Sequence, residues 1–71
     1  MIVVGYNLYN PEDQTITETI QGEFLVLVDG QNAFNEMIDQ NKDNENVKQF
    51  FWGTRLSPEE YLITAYQDNE V

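Results

Sequence analysis

Gly22-Glu23-Phe24-Leu25-Val26-Leu27-Val28-Asp29-Gly30 contains the longest unbroken apolar run of the chain, Phe24 to Val28. As a strand it turns Phe24, Val26 and Val28 to one side and Leu25 and Leu27 to the other. Both sides then need cover, which predicts a central strand. Upstream, Ile2, Val4, Tyr6 and Leu8 alternate with Val3, Gly5, Asn7 and Tyr9, the pattern of a first strand. Asn10-Pro11-Glu12-Asp13 has turn chemistry, with Pro11 suited to the second turn position. The β-branched run Gln14 to Gln21 predicts a second strand. Glu18 shares the parity of Ile16 and Ile20, which places that strand at an edge where a charge reaches water. These three strands make an antiparallel meander.

Downstream of Gly30 the apolar period lengthens to about 3.6. Ala33, Phe34, Met37 and Ile38 are expected on the sheet, with Glu36, Asp39 and Asp43 projecting from the opposite side. Val47, Phe50 and Phe51 repeat the helical spacing, and Gly53 fits a helix stop. Ser57-Pro58-Glu59-Glu60 has the form of a capping box, ahead of Tyr61, Leu62, Ala65 and Tyr66 on one helical face. The expected fold is therefore α+β, a three-stranded antiparallel meander followed by two or three short helices packed on one face. The alternative is a C-terminal hairpin, with strands over 50–56 and 61–67 joined by residues 57–60. Ile63 and Thr64 favour it.

Residues 1–71 make a single small domain, close to the lower size at which one core suffices. The chain has no Cys and no His, so disulfides and thiolate or imidazole chemistry are excluded. The absence of Cys fits a reducing, cytoplasmic compartment. Met1 to Tyr6 has neither the basic residue nor the apolar length of a signal peptide, and no run is long enough to span a bilayer.

Thirteen carboxylates against three cations give a net charge of −10. Direct contact with nucleic acid or an anionic membrane is opposed by Coulomb repulsion. A basic partner is favoured. Asp39, Asn41, Asp43 and Glu45 alternate as in a calcium loop, but Asn44 stands where glycine is needed and Phe50 where a bidentate Glu is needed. No metal or cofactor site is expected. Glu12-Asp13 and Glu59-Glu60 fall in a predicted turn and first helical turn, where water keeps both members of each pair alike. Ser57, the only Ser, has no activating base, and the four glycines are isolated. No catalytic residue is expected.

Spread evenly, the carboxylates of a domain this size would stand about 19 Å apart on roughly 4,600 Å², beyond a Debye length of about 8 Å. Imitation of a phosphate backbone needs them clustered. Glu36, Asp39 and Asp43 form such a stripe, and Glu45 extends it. Tyr9, on the minor apolar side of the first strand, and Trp52, beside Phe50-Phe51, are candidate interface anchors.

In size, charge and lack of catalytic residues the chain resembles small acidic inhibitors, often phage-encoded, that occupy a nucleic-acid-binding groove of a host enzyme. The resemblance is compositional and carries no motif. It implies a non-enzymatic protein in which Glu36, Asp39, Asp43 and Glu45 meet Lys or Arg of a basic, nucleic-acid-binding partner, with Tyr9 or Trp52 as the desolvated anchor. The alternative is a structural or accessory interaction module, or a homodimer, docking through an apolar second sheet face that includes Val3, Tyr9, Leu25 and Leu27.

Overall fold

The computed structural model describes residues 1–70. The chain forms β1 (Ile2–Asn10), β2 (Thr15–Phe24), α1 (Leu27–Asn41), β3 (Val47–Ser57) and β4 (Glu60–Asp68). The strands make one antiparallel sheet in the order β2-β1-β3-β4, and α1 packs on one side of it. This corrects the expected three-stranded meander with two or three helices: the described residues form four strands and one helix. The C-terminal hairpin, the alternative, is the observed arrangement.

The first correction concerns residues 22–30. The β1–β2 ladder ends where Ile2 pairs with Phe24, the chain bends at Leu25 and Val26, and α1 begins at Leu27. An apolar run of five residues suits a strand or a helix equally. Nothing at the helix start announced it either, because Val26 occupies the N-cap position and offers no side-chain hydrogen bond. Once α1 is formed, Leu27 lies one turn before Gly30 and two before Phe34 on the same side of the helix, yet stays 51% exposed. Gly30 permits a close approach to β1, since a Cβ there would come within 2.7 Å of Ile2 Cγ2.

The second correction concerns Val47 to Trp52, which form β3 and not a short helix. Phe50 and Phe51 are both fully buried. Adjacent strand residues point to opposite faces, so each ring enters a different apolar layer. A helix would have placed both rings on one side. Third, Ser57-Pro58-Glu59-Glu60 turns the chain from β3 into β4. The Ser57 hydroxyl accepts from the Glu59 amide at 3.4 Å and donates to Glu60 Oε1 at 3.5 Å, so the residues of a capping box serve a hairpin.

On the helix side the core comprises Val4, Met37, Val47 and Phe50, flanked by Ile2, Tyr6, Phe34 and Trp52. Ala33, Phe34, Met37 and Ile38 do lie against the sheet. On the other side no helix is present among the described residues, yet Val3 and Phe51 are fully buried. Tyr61 stacks parallel to Phe51 with ring centroids 6.4 Å apart, and Tyr66 meets it edge-on at 6.3 Å. A Cβ on Gly5 would press into the Phe51 ring and collide with the Thr19 carbonyl, so glycine makes room for this layer. Arg55 reaches across β1 to Glu23 at 2.6 Å, and the Tyr61 hydroxyl donates to Glu18 on β2. The second face thus buries Val3 and Phe51 with its own side chains while Ile16 and Tyr66 stay more than half exposed, and Val3 is not the docking contact expected of it.

No helix of the described residues is long and apolar enough to cross a membrane.

Candidate functional site

The register sets Phe24, Ile2, Thr54 and Leu62 in a row across the sheet. Beyond that row lie Met1, the bend and first turn of α1, and the end of the β3–β4 hairpin. This end of the molecule is aliphatic. Leu25 is 83% exposed, Val26 52%, Leu27 51% and Val28 55%, and Met1, Leu56 and Leu62 are also at least half exposed. Four consecutive exposed aliphatics forgo half or more of the burial that, when complete, stabilises such a side chain by about 1.5–3 kcal/mol. Leu25 and Leu27, expected on a sheet face, stand instead on this tip.

The opposite end is acidic. The backbone amide of Tyr9 donates to Asn46 O at 2.7 Å, tying the end of β1 to the α1–β3 loop. Glu12 and Asp13 in the β1–β2 turn, Asp39, Asp43 and Glu45 around the helix exit, Asp68 at the end of β4 and Glu70 just after it therefore share one pole. The sequence left the relative position of these groups open. The fold brings them together.

The predicted stripe exists: Glu36, Asp39 and Asp43 are exposed on successive turns of one side of α1 and its exit. It carries its own counter-ion, because Lys42 Nζ lies 3.1 Å from Asp39 Oδ1. The hydrogen bond to Asp39, reinforced by the charges of Asp39 and Asp43, holds the Lys42 ammonium above its usual range. Beyond the stripe, Lys48 donates to the backbone carbonyl of Glu45 at 2.8 Å and lies 5.4 Å from the Tyr9 ring centroid. Both lysines of the chain thus sit within the acidic pole.

Tyr9 and Trp52 are not brought together. Tyr9 is half-buried at the acidic end, on the side of the sheet away from the helix. Trp52 pairs with Val4 on the helix side, packs on the core and lines a cavity of about 320 Å³ with Ile2, Leu27, Gly30, Phe34 and Asn35. The acids and the two aromatics named from sequence do not make one continuous surface. Among the described residues no group of three or more carboxylates converges as metal ligands.

What sequence reasoning missed is the aliphatic tip, because Leu25 to Val28 read as core. The available signal was Gly30, whose helical spacing to Phe34 and Met37 extends the amphipathic pattern one turn upstream.

No protein-family model matches the chain, and comparison with curated proteins and with solved structures gives no match.

Proposed function

We propose that this chain is a small, non-enzymatic, acidic binding protein that docks a basic partner protein through its aliphatic end. The observation that supports this reading is the exposure of Leu25, Val26, Leu27 and Val28, each more than half open to water. A contiguous apolar patch at one end of a strongly charged domain is the form of an interaction site. Asp29 follows the patch directly, and Glu59 and Glu60 turn the hairpin at the same end. With a net charge of −10, the fitting partner carries an apolar pocket ringed by Lys and Arg.

A second reading, an inhibitor of phage type whose carboxylates replace phosphates in the groove of a DNA- or RNA-binding enzyme, is favoured by the acidic pole. Duplex DNA carries a charge every ~1.7 Å of its axis, and the stripe offers steps of about 4.5 to 6 Å along a helix. Lys42 and Lys48 dilute that charge, which sets this reading second.

The test is parallel capture from lysate on three immobilised proteins: the parent, Leu25→Ser with Val28→Ser, and Asp39→Lys with Asp43→Lys. Docking through the tip predicts a partner retained by the parent and the charge-reversed protein but lost from the Ser variant. The opposite pattern, with release by heparin, transfers the function to the acidic pole. Equal capture by all three overturns both readings.

A further inference from the structure

An α-helix with its side chains is about 10–12 Å across, and strands lie about 4.8 Å apart, so one helix shelters two to three strands of a sheet. Here α1 lies over β1, with β2 and β3 on either side, and β4 is left beyond it. Leu62, Ala65 and Gln67 pair with Thr54, Trp52 and Phe50 and so share the helix-side face, yet Leu62 is 60% exposed. That face has room for a second helix.

Two separate hollows mark out a track along this room. One cavity, of about 320 Å³, is bounded by Leu27, Phe34 and Trp52, and another, of about 450 Å³, by Ile38, Phe50 and Gln67. Leu27, Gln31, Phe34, Asn35, Ile38 and Lys42 run along one side of α1 at spacings of three, four and one, so both cavities flank the same side of the helix. From Leu27 to Lys42 this is about 22 Å, roughly four helical turns. Its floor is aromatic, with Phe50 fully buried beneath it. Glu70 stands at one end, beside Lys42, and Glu59 and Glu60 at the other, while the Asp68 carboxylate accepts from Gln49 on the opposite face.

We infer that this track seats an amphipathic, cationic helix of a partner protein, laid beside α1 over β3 and β4. The occupant is a helix of about four turns with apolar residues at i, i+3, i+4 and i+7 and Lys or Arg on its flanks. Charge selects against a second copy of α1 in this seat, because its outward side carries Glu36, Asp39 and Asp43. The inference rests on the reading of the chain as a binder of basic protein, and it names the partner element and where it lies.

Trp52 is the only tryptophan and lines the track, so its fluorescence reports occupancy. The probe is an 18-residue amphipathic peptide of Leu, Ala and Lys, free of aromatic residues, and the control has Glu in place of every Lys. The expected result is a saturable blue shift of Trp52 emission with the cationic peptide and none with the anionic one. Raising salt from 50 to 500 mM should weaken binding about tenfold. Leu62→Gln, at an exposed position, should weaken it at least fivefold, whereas Leu25→Ser with Val28→Ser at the tip, and Ile16→Ser, 63% exposed and facing away from the helix, should leave it unchanged; loss in the tip variant would place the peptide on the tip and overturn the seat. No Trp52 response, an equal response to both peptides, or equal binding by the Leu62 and Ile16 variants overturns the seat. Leu25 and Val28 lie outside the track, so loss of the seat leaves the capture test of the tip standing, and failure of that test leaves the peptide result standing.

Discussion

Asn69 Nδ2 lies 2.8 Å from the carbonyl oxygen of Val47 and also reaches the carbonyls of Asn44 at 3.1 Å and Asn41 at 3.2 Å. One side-chain amide thereby ties the residue after β4 to the helix exit, the loop and the start of β3. The backbone amide of Asn69 adds a bond to Lys48 O at 2.9 Å. Replacing Asn69 with Ala should cost about 1–2 kcal/mol, the net worth of one or two such bonds. Urea denaturation measures it, and an unchanged midpoint would show the clasp to be energetically idle.

Gly5 is the tightest point of the sheet's second face. Gly5→Ala drives a Cβ into the Thr19 carbonyl and the Phe51 ring, and should destabilise by about 1–3 kcal/mol through overpacking. At Gly22 the nearest atoms are the movable ring edge of Phe24 at 3.0 Å. Gly22→Ala should therefore cost clearly less, and thermal melts of the two variants compare them directly.

Leu25 and Phe51 are both apolar, and their burial is opposite: 83% exposed against fully buried. Leu25→Ser should change stability by less than about 0.5 kcal/mol, whereas Phe51→Ala should lose about 3–5 kcal/mol. A large loss at Leu25 in urea titration would mean that the tip is part of the core.

The hydrogen bond from Tyr61 to Glu18, ahead of partial burial and the Glu18 charge, holds the Tyr61 phenol above its ordinary value of 10.0. A phenol whose folded-state pKa exceeds its unfolded one contributes stability fully below the unfolded value and loses it as pH rises through the folded one. The parent should lose more stability than Tyr61→Phe as pH climbs above about 10. Parallel alkaline losses in the two proteins, read from urea midpoints, would show that the bond is not formed in solution.

Gln14 closes the β1–β2 turn at φ 60°, a left-handed conformation that a side chain disfavours. Gln14→Gly should raise the melting temperature, with a gain of up to about 1 kcal/mol. A fall would mean that the Gln14 side chain holds the turn.

Period two over Ile2 to Tyr9 suffices for β1, because alternation on a pleated strand has no helical reading, and the β-branched run Gln14 to Gln21 suffices for β2, because such side chains favour an extended chain. Glu18 likewise marks β2 as an edge, since a carboxylate between two isoleucines needs water. The helical face of Ala33, Phe34, Met37 and Ile38 is legible for the same local reason. The acids of the stripe are legible as exposed, but Lys42 between them is visible as their partner only once the helix exit is built.

Composition alone carries the net charge of −10 and the absence of Cys and His, and with them the exclusion of thiol and imidazole chemistry. Three further features were decided by tertiary structure. Leu25 to Val28 became a tip because the β1–β2 ladder stops at Phe24, and a short aliphatic run has no preference strong enough to resist its neighbours. Phe50 and Phe51 became strand residues because the sheet has an apolar layer on each side, and only an extended chain sends adjacent rings to both. Ser57 to Glu60 became a turn because Tyr61 and Tyr66 pack on Phe51, a long-range contact that the local cap chemistry cannot encode.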